Sequence, residues 1–395
     1  MAARRSARRR GDRIAVLRPV PVPPGPAAVS ILRAVEAVLA GGAPAMLPVP
    51  ADDERQTRLL TTSLRAGEEI DDDVAVVVST SGTTGTPKGA MLTAAALTAS
   101  AEATHDRLGG PGGWLLALPA HHVAGLQVLV RSVIAGRSPV ALPARFDASE
   151  IPTAVSAMGQ GRRYASLVAA QLDKALADPQ ACAALAELDA VLIGGGPTPV
   201  RISERAAAAG ISVVRTYGMS ETAGGCVYNG VPLHGVRIRI DPDGRIALGG
   251  DTIAKGYRNP PDPDPFAEPG WFLTDDVGSL DNSGTLRVLG RTDDAISTGG
   301  LTVFPQLVEN ALASHPRVVD CAVFGVPDER LGQRVVAAVV AANGYPAPTL
   351  SELRTHVKTR LDPTAAPRDV HIVDELPRRG IGKVDRRKLA ELFGG

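Results

Sequence analysis

Short apolar runs alternate with longer stretches rich in alanine and leucine along the first half of the chain. The apolar runs lie at residues 74–79, 114–118, 140–142, 166–168, 190–193 and 213–217. The stretches between them, such as 124–135 and 200–209, have the composition of helices. Strands that alternate with helices in this way pair in parallel and are covered on both faces. The pattern therefore predicts an α/β fold with a large, doubly wound sheet.

The pattern changes at residue 231. From there to residue 290, short segments of alternating polar and apolar residues are separated by Asp-Gly and Gly-Gly pairs. Alternation with a period of two indicates half-buried strands, and these pairs favour tight turns. We predict a small β-rich subdomain at 231–290, within an N-terminal domain that spans residues 14–292.

A third pattern begins near Asp293. Two helix-like and two strand-like segments follow, at residues 306–314, 321–326, 335–341 and 350–360. A mixed segment of about a hundred residues has a common domain size. We predict a small α+β C-terminal domain at residues 293–395.

Composition narrows the classes of function. The 395 residues are 44% hydrophobic and 21% charged, and the formal net charge is zero. This charge gives no reason to expect nucleic acid or a membrane surface as a partner. No apolar run approaches the roughly 20 residues that span a bilayer, and no signal-like apolar segment follows the N-terminal arginines. We expect a cytoplasmic protein without membrane insertion.

The cysteines and the N-terminus suggest no further site. Cys182, Cys226 and Cys321 form no Cys-x-x-Cys pair, which argues against a disulfide framework or a structural zinc. Residues 1–13 are rich in arginine and would also suit a targeting or nucleic-acid-binding arm. We interpret them as a disordered basic tail, because charged chain ends are usually solvated.

Residues 79–90 have the composition of a phosphate-binding loop. They follow an apolar run and precede a helix-like stretch near Thr93, which predicts the order strand, loop, helix. Glycines allow the backbone to approach an anion, hydroxyl groups donate to its oxygens, and a lysine adds positive charge. The candidate ligands of a nucleoside triphosphate are Thr80, Ser81, Gly82, Thr83, Thr84 and Lys88.

The loop is not a Walker A motif, because Pro87 precedes Lys88 and Gly89 follows it. A flexible linker is the alternative interpretation. A linker, however, has no reason to follow a buried strand or to hold a single lysine.

A second polar cluster lies beyond the apolar run at 213–217. It contains Tyr217, Glu221 and Thr222. In an open parallel sheet the carboxyl ends of the strands bind ligands, so these side chains would face the same crevice as the loop. A ring can cover a purine, a carboxylate can hold Mg²⁺, and a hydroxyl can reach phosphate. We predict Glu221 as a metal ligand, together with Thr80.

These motifs resemble those of the adenylate-forming superfamily, which contains acyl-CoA synthetases, peptide-synthetase adenylation domains and beetle luciferases. The matching segments are 79–90, 193–197, 214–223, 271–278, 290–300 and 378–386. The resemblance covers the chain from about residue 74 to its C-terminus. It implies that the C-terminal domain is a mobile lid and that ATP, Mg²⁺ and CoA take part in the reaction.

The resemblance also implies roles for single residues. The nucleotide-binding residues would be Gly195, Gly196, Pro197 and Tyr217 near adenine, and Asp276 and Arg291 near ribose. The residues of the second step would be Asp293, as the hinge, and Gly299 and Gly300, in the CoA channel. The catalytic residues would be Lys383, Glu221, Thr222 and His122.

The implied chemistry has two steps. A carboxylate attacks the α-phosphorus of Mg·ATP, which gives an acyl-adenylate and pyrophosphate. The CoA thiol then attacks the acyl carbon and expels AMP, after the lid has rotated.

The acid is predicted from residues 119–132 and 166–172, which resemble the o-succinylbenzoate:CoA ligases of menaquinone biosynthesis. The implied substrate is a small aromatic or acyl carboxylate, specifically o-succinylbenzoate. The candidate substrate contacts are His122, Arg131, Ser166 and Gln171. For Ser166 and Gln171 a structural role is an equal alternative.

Other functions stay open from the sequence alone. The chain could be another aryl- or acyl-CoA ligase, an adenylation enzyme that loads a carrier protein, or a non-catalytic nucleotide-binding protein. A homodimer is also left open.

Overall fold

The computed structural model describes residues 15–80, 86–379 and 383–394. These residues form a mixed α/β fold with a large N-terminal part and a smaller C-terminal part. None of the helices among them is long and apolar enough to cross a membrane. The predicted basic tail, residues 1–13, lies outside the described residues.

The first elements build a small sheet around the strand that precedes the phosphate loop. They are β1 Ala15–Val16, β2 Arg18–Val22, α1 Leu32–Leu39, β3 Met46–Pro50, α2 Glu54–Ser63, β4 Glu69–Ile70, β5 Val74–Thr80, β6 Lys88–Thr93 and α3 Ala94–Leu108. The sheet has the order β2-β3-β5-β6, while β1 and β4 pair separately. Strands β2, β3 and β5 are parallel, and β6 runs antiparallel to β5.

This arrangement corrects the predicted order strand, loop, helix. Strand β6 lies between the loop and α3, so Lys88 begins a strand. Pairing with β6 satisfies the backbone groups along one edge of β5, which would otherwise be unpaired.

The central sheet has seven strands and carries the second polar cluster. Its elements are β7 Gly113–Leu116, α4 Val123–Ile134, β8 Val140–Ala141, α5 Ile151–Ala157, β9 Arg163–Val168, α6 Ala169–Ala175, α7 Pro179–Ala186, β10 Ala190–Gly194, α8 Val200–Ala208, β11 Val213–Met219, β12 Gly224–Tyr228 and β13 Val231–Pro232. The order is β13-β12-β11-β10-β9-β7-β8. The strands from β11 to β8 are parallel, and β12 and β13 add an antiparallel edge. The predicted doubly wound layer is therefore divided between two sheets.

The two faces of the central sheet pack against different helices. Leu115 and Ala165 share a buried cluster with residues of α5, α6 and α7. Trp114 and Tyr164 point to the other face and share a cluster with residues of α3 and α4. Because side chains alternate along a strand, Ser166 lies on this second face, beneath α4.

The next strands form an antiparallel sheet within the segment predicted to be β-rich. They are β14 Val236–Ile240, β15 Arg245–Gly250, β16 Trp271–Leu280 and β17 Leu286–Arg291, paired in that order. Strand β17 ends at Arg291, one of the predicted ribose contacts.

The C-terminal part is an α+β unit, as its sequence pattern indicates. Its elements are β18 Ile296–Thr298, β19 Leu301–Val303, α9 Pro305–Ala313, β20 Val318–Asp328, β21 Gly332–Ala341, α10 Leu350–Lys358, β22 Asp369–Ile372, β23 Arg378–Arg379, β24 Lys383–Val384 and α11 Arg386–Phe393. The order β19-β18-β21-β20 is extended by β22, which pairs with β21. Strands β23 and β24 form a separate hairpin.

Candidate active site

Glu221 lies on a 3-10 turn, Ser220–Thr222, immediately after β11. Its side chain is buried, and the Tyr257 hydroxyl donates a hydrogen bond to Oε1. Burial raises the pKa of Glu221, while the Tyr257 hydrogen bond and the charges of Lys88 and Arg291 act in the opposite direction. A carboxylate placed among cationic groups is suited to the environment of a metal-bound triphosphate.

Tyr257 is a site residue that the sequence analysis missed. The Lys88 ammonium lies 4.9 Å from the centre of its ring, so the tyrosine contacts both Lys88 and Glu221. The ring also packs edge-on against Phe266, at 5.2 Å between centroids. Only 3% of the chain is aromatic, and Tyr257 follows Gly256 directly. A second Gly-Tyr pair occurs at residues 344–345, so the sequence has no signal that singles out Tyr257.

Backbone hydrogen bonds hold the Tyr257 segment between the two nucleotide motifs. The Met91 amide donates to the Gly256 carbonyl at 2.9 Å, and the Arg258 amide donates to the Gly89 carbonyl at 2.7 Å. The Ala254 amide donates to the Glu221 carbonyl at 2.8 Å. Strand β6 is thus joined to the turn that follows β11, although β6 and β11 belong to different sheets.

Thr222 does not face the crevice as predicted. It is fully buried, and its hydroxyl donates to the Gly224 carbonyl at 2.6 Å. The same oxygen accepts a hydrogen bond from the Met219 amide at 3.0 Å. The hydroxyl satisfies backbone groups that the tight turn leaves unpaired, so its role is to shape the loop around Glu221.

The phosphate loop is described only at its two ends. Thr80 is the last residue of β5 and pairs with Lys88, the first residue of β6. Ser81, Gly82, Thr83 and Thr84 lie outside the described residues.

Tyr217, which the resemblance assigns to adenine, contacts Asp276, which it assigns to ribose. The Tyr217 hydroxyl donates to Asp276 Oδ2 at 2.7 Å, and Arg291 Nη1 lies 3.4 Å from Oδ1. Burial raises the pKa of Asp276, while the Tyr217 hydrogen bond and Arg291 oppose that shift. The neighbouring Asp275 is exposed and pairs with Arg245, so Asp276 is the acid that lies inside the site.

Ion pairs lie on both sides of the predicted hinge. Arg291 Nε and Nη2 donate to the two carboxylate oxygens of Asp293, each at 2.8 Å. The next residue, Asp294, pairs with Arg386 at 3.2 Å. Arg386 also binds both carboxylate oxygens of the buried Glu309, at 2.8 Å. Asp293 is therefore tied to the end of β17 through Arg291, and Asp294 is tied to the start of α11 through Arg386.

The predicted site residues in the two glycine-rich segments lie in turns. Gly195, Gly196 and Pro197 are exposed and follow β10 at the carboxyl edge of the central sheet. Gly299 and Gly300 form the two-residue turn between β18 and β19, with φ values of +59° and +81°. Such a hairpin turn requires positive φ at both positions, which accounts for the glycine pair.

Lys383 begins β24, and its backbone pairs with Arg379 in the β23–β24 hairpin. The side chain of Lys383 lies outside what the structure describes.

The residues predicted to contact the acid lie on or near α4. His122 precedes this helix as its N-cap, and its ring lies 4.3 Å from that of His121. Burial and the neighbouring His122 lower the pKa of His121 to about 4. A Cβ on Gly125 would lie 2.4 Å from the Pro119 carbonyl oxygen, so glycine allows the helix to start close against the preceding loop.

Arg131 lies on the buried face of α4 and is 3% exposed. Its guanidinium is 4.8 Å from the centre of the Trp114 ring, and Nη2 donates to the Tyr228 hydroxyl at 3.4 Å. Its Nε is buried without a hydrogen-bond partner, and no carboxylate of the described residues forms an ion pair with it. Burial lowers the pKa of Arg131, because a cation away from water loses solvation.

Ser166 and Gln171 have different surroundings. Ser166 lies beneath α4 on the face of the sheet that also carries Trp114. Gln171 Oε1 accepts from the Val168 amide at 3.0 Å, and its Nε2 donates to the Ala117 carbonyl at 2.9 Å. Both ends of this amide bind backbone, so Gln171 fixes the turn after β9 rather than presenting a free group to a ligand.

Comparison with known families identifies the chain. Residues 27–258 match the AMP-binding enzyme family, and residues 307–383 match the AMP-binding enzyme C-terminal domain. The chain belongs to the AMP-binding enzyme family, which confirms the predicted adenylate-forming superfamily.

Two individual relatives are named as 2-succinylbenzoate–CoA ligases, one of them as probable. The chain is 66% identical over 383 residues to a probable 2-succinylbenzoate–CoA ligase of Mycobacterium tuberculosis H37Rv, covering 96% of this chain and 99% of that protein. It is 36% identical over 349 residues to the 2-succinylbenzoate–CoA ligase of Bacillus licheniformis, covering 80% and 70% of the two chains.

Solved structures agree with these relatives. The o-succinylbenzoate CoA synthetase of Bacillus subtilis, in complex with the acyl-adenylate intermediate, matches with a TM-score of 0.78 and 27% identity. That match covers 95% of this chain and 88% of the other. The same enzyme with ATP and magnesium ion gives a TM-score of 0.78 and 28% identity, covering 95% of this chain and 90% of the other.

Proposed function

We propose that the protein is an AMP-forming acid:CoA ligase that converts o-succinylbenzoate into o-succinylbenzoyl-CoA in menaquinone biosynthesis. The observation that carries the choice of acid is Arg131, a buried guanidinium without a carboxylate partner among the described residues. The 66% identity to the mycobacterial relative over nearly the whole chain supports the same substrate.

The nucleotide motifs would perform the first half-reaction. Lys88 and the loop after β5 bind the β- and γ-phosphates, and Tyr217, Asp276 and Arg291 bind the nucleoside. Mg²⁺ commonly binds through one or two carboxylates together with substrate phosphates, and Glu221, with Thr80, fits that pattern. Bound there, the ion would neutralise charge on the phosphates. Lys383 would stabilise charge on the reacting phosphate, which makes it the lysine of adenylation.

The second half-reaction would use a different lid position. Rotation about Asp293 moves the hairpin that carries Lys383 away and brings Gly299 and Gly300 to the CoA channel. The ion pairs of Asp293 with Arg291 and of Asp294 with Arg386 support a pivot here, because the first crosses the domain boundary and the second lies within the C-terminal domain.

The length of α4 is compatible with an acid that carries two carboxylates. His122 and Arg131 are nine residues apart, which corresponds to about 13.5 Å along a helix axis. Helical side chains point back toward the N-terminus, so the guanidinium lies nearer to His122 than its Cα does. The reacting carboxylate would lie near His122, and the second carboxylate would bind Arg131. Ser166 lines the same space from the sheet.

ATP/pyrophosphate exchange against a panel of carboxylic acids tests this proposal. We expect the highest kcat/KM with o-succinylbenzoate, followed by a thioester when CoA is added. Equal or better exchange with simple aryl or fatty acids would reject the substrate. Transfer to an acyl-carrier protein but not to CoA would favour the carrier-loading alternative. We place the reaction in the cytoplasm, where ATP and CoA are available, and light scattering would test a homodimer.

A further inference from the structure

Arg131 is surrounded by a cluster of uncharged polar and aromatic groups, which we call the Arg131 cage: His105, Thr104, Trp114 and Tyr228. Trp114 lies against the guanidinium, and the Tyr228 hydroxyl lies 3.4 Å from Nη2. Behind them, Trp114 Nε1 donates to His105 Nε2 at 3.3 Å, and Tyr228 Oη is 3.0 Å from Thr104 Oγ1.

The directions of these hydrogen bonds follow from the chemistry of each group. A guanidinium only donates, so the Tyr228 oxygen accepts from Arg131 and its own proton is directed to Thr104. The Thr104 hydroxyl in turn donates to the Ser100 carbonyl at 2.8 Å. The hydroxyls of Tyr228 and Thr104 therefore each accept one hydrogen bond and donate another, which fixes the Tyr228 ring.

The other side of the cage is also neutral. An indole N–H only donates, so His105 accepts through Nε2 and must be uncharged. Burial and the nearby Arg131 lower the pKa of His105 to about 4, which keeps the imidazole neutral at physiological pH. Arg131 is thus the single charge within its cage.

A buried cation without an anion is unfavourable, and a ring face with one hydroxyl offsets only part of its lost hydration. An internal Asp or Glu would stabilise the guanidinium more, but it would also compete with an incoming anion. We propose that Trp114 and Tyr228 are positioning residues that hold Arg131 with no counter-ion from the described part of the chain and thereby set the preference for an acid with a second carboxylate. This inference rests on the proposed function.

Tyr228→Phe and Trp114→Phe test the cage directly. Each keeps an aromatic ring, while the first removes the hydroxyl beside Arg131 and the second removes the indole N–H and reduces the ring face. For each variant we expect KM for o-succinylbenzoate to rise about tenfold, equivalent to about 1.4 kcal/mol. We expect kcat and the KM values of ATP and CoA to stay nearly unchanged. KM for 4-oxo-4-phenylbutanoate, which lacks the ring carboxylate, should also stay unchanged.

Tyr164→Phe is the matched control. The Tyr164 ring packs on Trp114 at 5.0 Å, but its hydroxyl binds the Leu108 and Gly110 carbonyls instead of Arg131. Thermal melting of all three variants separates loss of stability from loss of recognition. If Tyr164→Phe raises KM for o-succinylbenzoate as much as Tyr228→Phe does, the cage has no specific role.

A double-mutant cycle with Arg131→Met separates this inference from the proposed function. We expect Arg131→Met to raise KM for o-succinylbenzoate about 100-fold, and Tyr228→Phe to add no further change in that background. If Arg131→Met leaves this KM unchanged, Arg131 is not the carboxylate site and the argument for the substrate fails. If Arg131→Met raises KM but Tyr228→Phe alone has no effect, or if the two effects simply multiply, the cage proposal is overturned.

Discussion

Glu221 is the residue on which use of Mg·ATP should depend most directly. Glu221→Gln keeps the shape of the side chain and an oxygen that can accept from Tyr257, but it removes the charge. We expect acyl-adenylate formation to slow on the order of 10²-fold or more, because a preorganised charge in the site is lost. The melting temperature should change little, since burial of this carboxylate is itself unfavourable.

Pyrophosphate exchange and thermal melting distinguish the two possible roles of Glu221. A variant that melts much earlier yet exchanges pyrophosphate at the normal rate would show that Glu221 is a structural residue.

Tyr257 should act through the two charged residues that it contacts. Tyr257→Phe keeps the ring against Lys88 and Phe266 but removes the hydroxyl that donates to Glu221. We expect kcat/KM for Mg·ATP to fall about tenfold, because a hydrogen bond to a charged group contributes about 1.5–3 kcal/mol. KM for the acid should stay unchanged. Steady-state kinetics with each substrate varied in turn, compared with Tyr164→Phe, measures this; an equal change in every KM would contradict a specific role.

At the scale of elements, the proposed hinge lies in the connection from β17 to β18, which would have to change shape between the two half-reactions. Asp293 lies in this connection, between β17 and β18. The pair of Arg291 with Asp293 and the contacts of Arg386 with Asp294 and Glu309 attach the connection to β17 and α11. Because α11 begins three residues after Lys383, we expect movement of this connection to shift the proposed catalytic lysine as well.

Asp293→Pro tests the hinge. Proline fixes φ near −65°, so the connection would keep one of its two conformations. We expect one half-reaction to survive and the other to fall steeply, so that either adenylate forms without thioester or only preformed adenylate is converted. Each half-reaction is measured separately, with circular dichroism to check folding.

Asp293→Asn is the control for the hinge, because it weakens the pair with Arg291 and leaves the backbone free. Both half-reactions should persist in this variant. A folded Asp293→Pro protein with both steps equally active would remove the hinge from the mechanism.

At the scale of the whole molecule, we expect one crevice to serve both half-reactions. The C-terminal part would rotate between them and present a different face to the crevice in each. Lys383→Ala tests this alternation. We expect adenylate formation to fall on the order of 10²-fold or more, since the lysine is proposed to stabilise charge only in the first step. Attack of CoA on separately supplied acyl-adenylate should be nearly normal. Equal loss of both half-reactions would refute the assignment of Lys383 to adenylation alone.

Much of the architecture is visible in the sequence because its causes are local. Apolar runs of strand length, period-two alternation after residue 231 and the Gly-Gly turn at 299–300 each reflect what a few neighbouring residues can adopt. The nucleotide motifs are recognisable for the same reason. At neighbouring positions, the backbone of glycines and the side chains of serine, threonine and lysine can contact a phosphate without help from distant residues.

Contacts between distant segments were decided only by the tertiary structure. The sequence could not show that β5 and β11 belong to different sheets, because buried strands look alike until their partners are known. Nor could it show that Thr222 turns inward to bind Gly224, or that Tyr257 joins Lys88 to Glu221, which precede it by 169 and 36 residues. The sequence predicts Arg131 as a substrate contact. Only packing against Trp114 and Tyr228, from two strands far apart in the chain, leaves that cation buried without a carboxylate partner among the described residues.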